Sequence, residues 1–148
     1  MTIIRMDHVG VVVEDLAAAV AFFVELGLEL EGETTVGGEW ADRLIGLDGV
    51  QADIAFLRTP DGHSRVELST FQSPTTTTGP PRAPVNVPGI PRITFFVDDV
   101  DAIFDRLRPH GAELVGEVAQ YEDIYRYCYI RGPAGIIIGL VEELHGNS

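Results

Sequence analysis

Asp7-His8-Val9-Gly10-Val11-Val12-Val13-Glu14-Asp15-Leu16 has a second version in the same chain, Pro91-Arg92-Ile93-Thr94-Phe95-Phe96-Val97-Asp98-Asp99-Val100, eighty-four positions further on. Each copy is a β-branched or aromatic run, then two acidic residues, then an apolar residue that opens a helical pattern. The correspondence continues without a gap through Gly27 and Gly111 to Leu30 and Leu114. One position differs in kind. His8 can hold a metal or move a proton, and its counterpart, Arg92, is permanently protonated and offers no lone pair.

Working outward from the first copy, Ile4 to Val13 reads as a strand with Val9, Val11 and Val13 on one face and His8, Gly10 and Val12 on the other. Asp15 stands where a helix N-cap belongs, Leu16, Val20, Phe23 and Leu26 recur at helical spacing, and Gly27 is placed to end the helix. Glu29 to Thr35 is a second strand with a bend at Gly32. Residues 36–46 form a Gly-rich loop around a short helical turn and carry the single tryptophan, Trp40. Gln51 to Arg58 and Ser64 to Phe71 are two more strands, joined by the turn Thr59-Pro60-Asp61-Gly62. This half is therefore β-α-β-β-β.

The second half repeats the plan. Arg92 to Val97 is a strand and Asp99 a cap. Val100, Ile103, Phe104 and Leu107 make a helix face, and Gly111 is the stop. Glu113 to Val118, Tyr125 to Arg131 and Ile136 to Glu142 are the following strands, with Gly132-Pro133-Ala134-Gly135 as the matching turn. Residues 72–91 hold six of the nine prolines and a run of four threonines, so they read as a linker that packs no element of its own. The expected organisation is a module over 1–71, the linker over 72–91, and a second module over 92–148. Such a chain is α+β: two βαβββ modules form a curled mixed sheet around a cup, with the helices outside. A cup of this kind suits a small molecule, because polar groups converge in it from several strands.

The chain has 148 residues, the size of one ordinary domain, and 45% of them are apolar, which excludes a disordered protein. A formal charge of −13, with no lysine and no arginine cluster, argues against nucleic acid and anionic membrane as partners. The longest apolar run, Ile136 to Val141, is too short to span a bilayer, and the N-terminus lacks the form of a signal peptide. One cysteine, Cys128, permits no intrachain disulfide and fits a reducing cytoplasm.

Taken together, the paired modules, the Asp7-His8-Val9 opening, the Pro60-Asp61-Gly62 turn before Val66-Glu67-Leu68, and the Gly132–Gly135 turn before Ile136 to Glu142 resemble the vicinal oxygen chelate superfamily, the glyoxalase, bleomycin-resistance and extradiol-dioxygenase group. The resemblance implies a divalent ion held by the first and fourth strands of each module. By position, His8 and Glu67 are the metal ligands expected of the first module, and Arg92 and Gly139 occupy the same places in the second. The first pair has the right donor atoms; the second has none.

The expected cofactor is accordingly none, or a divalent metal ion held weakly by His8 and Glu67, with Glu122 as a carboxylate able to stand in for Gly139. The resemblance implies three functions. One is a small-molecule binder or enzyme without a tightly held metal, using His8, Glu67 and Arg92 as acid/base groups and anion clamp. Another is a metal-dependent lyase or isomerase of the glyoxalase type. The third is a non-catalytic protein that sequesters a drug or metabolite. It also implies a homodimer.

Two further features bear on the ligand. Tyr125, Tyr127 and Tyr129 share one strand face, close to Tyr121 and Glu122. They read either as a stacking row for a planar molecule or as packing against the helix or a second subunit. Trp40 reads either as a lid or as a plug at the rim.

Overall fold

The computed structural model describes residues 2–77, 83–89 and 92–144, and the chain separates into two compact units, Met1–Gly79 and Pro80–Ser148. Each unit is a helix on a mixed sheet, and the α+β reading with two βαβββ modules holds.

In the first unit the order is β1 (Val9–Val12), α1 (Leu16–Leu26), β2 (Glu29–Gly37), α2 (Glu39–Ile45), β3 (Gln51–Arg58) and β4 (Arg65–Ser73). The sheet runs β1-β4-β3-β2, with β1 parallel to β4 and the remaining pairs antiparallel. Asp15 caps α1, its carboxylate accepting from the Ala18 amide at 3.0 Å, and Gly27 ends it at φ 128°. The β2–β3 register slips between Leu30 and Gly32, the bend expected there. Leu57, Ala55, Val66, Leu68 and Val13 are buried beneath α1 with Phe22 and Phe23. Each large side chain buried in this layer contributes about 1.5–3 kcal/mol.

The first strand is shorter than its composition suggests. Residues 2–8 form no ladder, and Ile3 and Ile4 are 85% and 88% exposed. The Gly-rich loop contains a helix of seven residues, α2, whose Asp42 carboxylate accepts from the Gly49 and Val50 amides at 3.0 and 2.8 Å and so fixes the loop that follows. Residues 72 and 73, expected in the linker, belong to β4, and Thr76 turns back onto it: its hydroxyl accepts from the Phe71 amide at 2.7 Å.

In the second unit the elements are β5 (Arg92–Phe96), α3 (Val100–Leu107), β6 (Glu113–Leu114), β7 (Ala119–Tyr121), β8 (Tyr125–Arg131) and β9 (Ile137–Glu143). The path is β5-β9-β8-β6, with β7 also on β8, and β5 is parallel to β9. Asp99 caps α3 by accepting from the Ala102 amide at 3.0 Å, and Glu142 accepts from the Val100 amide at 2.9 Å. The four helix-face residues named from the sequence are all buried. A 3-10 turn over Arg108–His110 separates α3 from Gly111. Of the single strand expected over 113–118 only Glu113–Leu114 forms; the chain bends at Val115 and Gly116, and β7 starts beyond that range, at Ala119.

Candidate functional site

Strand register shows which positions of the two units are equivalent. In the first, Val9 pairs with Val66 and Gly10 with Glu67; in the second, Ile93 pairs with Ile138 and Thr94 with Gly139. On the next strand, Phe56 lies opposite Glu67 and Tyr129 opposite Gly139. The sets His8, Gly10, Glu67, Phe56 and Arg92, Thr94, Gly139, Tyr129 therefore correspond. Both lie on the sheet face away from the helix, since Val66, Leu68, Ile138 and Leu140 alternate with them and fill the helix-facing core.

In the first unit His8 stands just before β1, so its neighbour Asp7 is not forced by strand alternation to the opposite side. Both ring nitrogens meet carboxylates: Nδ1 is 2.7 Å from Asp7 Oδ2, and Nε2 is 3.0 Å from Glu67 Oε2. An imidazolium can donate to both, whereas a neutral ring can donate to one only. Arg65 extends the chain of charges, with Nη1 3.5 Å from Asp7 and Nη2 2.7 Å from Glu31. Phe56 is the floor beneath these groups: His8 meets it edge-on at 5.7 Å, and the Arg65 guanidinium lies 4.8 Å from its centroid. The hydrogen bond from His8 holds the Asp7 carboxyl below the usual range, with the charge of Arg65 acting in the same direction. His8 and Glu67 keep 33% and 24% of their side-chain surface exposed, so a ligand can reach the pair.

Module two carries different chemistry on the same frame. Arg92 lies over Tyr129, 5.2 Å from the ring centroid, and Tyr127 meets Tyr129 edge-on at 5.5 Å. Burial raises the Tyr129 hydroxyl above its usual range, Tyr127 adds to that, and Arg92 opposes it. Gly139 is not an open gap. A Cβ there would lie 2.6 Å from Thr94 Oγ1 and 3.1 Å from Thr94 Cγ2, so the Thr94 side chain already occupies that space. At the matching place in the first module the exchange is reversed: Gly10 has nothing near a hypothetical Cβ, and Glu67 supplies the side chain.

Of the other residues singled out, Tyr125 and Tyr127 are half-buried on the same face as Tyr129. Arg126 and Cys128 take the opposite face, where Arg126 binds Asp101 of α3 at 2.9 Å and Cys128 is buried. The tyrosine row therefore does not pack on the helix. Tyr121 is 62% exposed. Glu122 occupies the turn before β8 at φ 49°, seven residues before Tyr129, the register partner of Gly139; the stretch from Tyr125 to Tyr129 alone spans roughly 13 Å. The structure does not bring it beside Gly139. Trp40 lies in α2 and is 60% exposed, while Ala41 makes that helix's buried contact.

Asp7, Arg65, Phe56 and Thr94 are the members of these clusters that sequence reasoning passed over. Asp7 adjoins His8 in the opening stretch, and Phe56 and Arg65 become visible only once β3 and β4 are set in register.

The donor set can be tested against the divalent ion that the resemblance implies. His8 Nε2 and Glu67 Oε2 lie close enough to share an ion, and Asp7 is placed to orient the imidazole. Arg92 and Gly139 add no donor, and Thr94 fills the space a side chain at 139 would need. No group of three or more His, Cys, Asp or Glu side chains suited to a metal occurs among the described residues. Two protein ligands fall short of the three or four that retain such an ion, so the residues do not fit a resident metal.

Comparison with known proteins agrees with the architecture. A glyoxalase family protein from Bacillus cereus, solved by crystallography, is 54% identical and superposes with a TM-score of 0.93, covering 98% of this chain and 97% of that one. The Bacillus subtilis protein YwbC is 29% identical over 133 residues, 88% of this chain and 91% of its own length. An antibiotic binding protein from Streptomyces, TnmS3, shares the fold at 22% identity and a TM-score of 0.60, covering 97% of this chain and 98% of that one. The profile of the Glyoxalase/Bleomycin resistance protein/Dioxygenase superfamily matches residues 5–140, and the chain belongs to that superfamily.

Proposed function

We propose that this protein binds a small organic molecule on the helix-free sheet face of its first unit and handles a proton of that molecule with the His8–Glu67 pair, without a resident metal. The observation that supports this reading is the contact of His8 Nε2 with Glu67 Oε2 at 3.0 Å, in a chain whose equivalent second-module positions are Arg92 and Gly139. Glu67 is the base and His8 its hydrogen-bonded partner. Glu67 takes the proton from the ligand, and His8, oriented by Asp7, can then donate from Nε2 to the negative charge left on the ligand. On the second unit, taken by itself, Arg92 offers a fixed positive charge to an anionic group. The lyase or isomerase chemistry of the glyoxalase type belongs to this reading in its metal-free form.

The setting in this reading is a reducing cytoplasm, supported by a single cysteine that is buried. A homodimer is supported by the resemblance. No helix among the described residues is long and apolar enough to cross a membrane.

Elemental analysis of protein purified without chelators tests the reading. The expected result is far less than one equivalent of Zn, Ni, Mn or Fe per chain. About one equivalent, lost in His8→Ala, would overturn it.

A further inference from the structure

We propose that the helix-free face of the second unit is a site for a planar aromatic carboxylate, with Arg92 as its anion-binding group and the tyrosine row as its stacking surface. The inference rests on reading the helix-free faces as the ligand-binding surfaces, and it names the ligand class.

Charge is the first observation. The chain has 23 acidic residues against 10 basic ones, and Arg58, Arg65, Arg108 and Arg126 each hold a carboxylate. Arg92 forms no ion pair with a carboxylate among the described residues; its guanidinium lies on the Tyr129 ring instead. The ring contact engages no carboxylate, and the guanidinium N–H groups not turned toward Tyr129 can donate to a carboxylate of a ligand.

Shape is the second. Arg92, Thr94 and Phe96 alternate along β5 and are all exposed, and Tyr125, Tyr127 and Tyr129 alternate along β8 with β9 between. Phe96 is 67% exposed and lies 6.4 Å from Tyr125. Arg92 and Phe96 stand four residues apart on one strand, roughly 13 Å, which suits a carboxylate attached to one or two fused rings. At the middle of this face Thr94 fills the place of the side chain that Gly139 lacks, and Arg92, whose register partner is Ile137, reaches Tyr129 on the diagonal. A large exposed aromatic on the same face as a cation that has no ion pair among the described residues marks a face suited to a partner of both characters.

Titration of the full chain with 2-naphthoate, followed by saturation-transfer NMR and by thermal shift, tests the proposal. Wild type is expected to bind with a dissociation constant below about 1 mM, and the uncharged 2-naphthamide at least ten-fold more weakly. Arg92→Gln is expected to lose at least ten-fold in 2-naphthoate affinity, and Arg92→Lys to lose less, because it keeps the charge without the fork. Equal affinity for 2-naphthoate and 2-naphthamide on wild type overturns the proposal, whatever the folding of the variants. So does unchanged affinity in Arg92→Gln, or no binding to wild type at about 10 mM. Metal content decides the His8–Glu67 reading and plays no part in this titration, so either can fail while the other stands.

Discussion

Thr94 occupies the space that a side chain at position 139 would fill, with Oγ1 2.6 Å from the place of a Cβ on Gly139. The two residues are register partners on parallel strands, and the close approach involves all three Thr94 side-chain atoms, at 2.6, 3.1 and 3.2 Å. Gly139→Ala is therefore expected to destabilise the protein by about 1–3 kcal/mol through overpacking. Thr94→Gly made in the same chain should recover part of that loss. Denaturant melts of the four proteins in a double-mutant cycle measure the coupling, and additive effects would show that the two side chains do not compete for one space.

A consequence follows for rebuilding the family's ligand positions in the second module. Arg92→His with Gly139→Glu puts the right side chains in sequence but leaves Thr94 in the way. The triple variant Arg92→His, Thr94→Gly, Gly139→Glu is expected to bind Zn²⁺ at least ten-fold more tightly than the double variant, read by isothermal titration. Equal affinities would mean that Thr94 is no obstacle.

Asp7 offers a pH-dependent test. Its folded-state pKa is lowered from 3.8 by the hydrogen bond from His8 and the charge of Arg65. A carboxyl with a lowered pKa contributes stability that is fully present above the unfolded value and is lost as pH falls through the folded one. The Asp7 carboxyl carbon, followed by NMR, should titrate below 3.8 in wild type and closer to 3.8 in His8→Ala. A wild-type midpoint at 3.8 would contradict the contact.

Cys128 should be inert in the folded protein. Burial raises its pKa from 9.0 to about 11, with Asp101 adding to the effect. At pH 8 the thiolate fraction is then roughly a hundred-fold below that of an ordinary thiol, and alkylation by iodoacetamide should slow by at least that factor. Any stability from the buried neutral thiol is present below pH 9.0 and is lost as pH rises through 11. Alkylation at the rate of a free thiol would show that β8 opens readily.

Asp15 and Asp99 perform the same task in the two modules, each accepting from the amide three residues on. Replacing either by Ala is expected to cost about 1 kcal/mol in urea melts. A change near zero in both would mean that neither cap is formed in solution.

The duplication made most of this fold legible. Period-two runs gave the strands, Asp15 and Asp99 gave the helix starts, and the matched glycines gave the stops, because each depends on short-range chemistry. The N-terminal strand was overdrawn at Ile4, since apolar alternation marks what can pair and says nothing of whether a neighbouring strand is there. In the candidate site, His8 and Glu67 were legible as a pair and the structure brings them together. Asp7 was not, because strand alternation would send it away from His8, and β1 begins only at Val9. Thr94 was hidden for another reason: its relation to Gly139 depends on the parallel register of β5 and β9, which a single sequence does not display.

In the proposed function His8 Nε2 bonds to Glu67 and does not hold a metal ion. Long-range ¹H–¹⁵N correlation spectra of the histidine rings, recorded before and after one equivalent of Zn²⁺, test it most directly. The His8 Nε2 signal is expected to be that of a protonated nitrogen, to move in Glu67→Gln, and to be unchanged by Zn²⁺ at micromolar concentration. A His8 Nε2 signal that shifts to the metal-bound range on that single equivalent would contradict it.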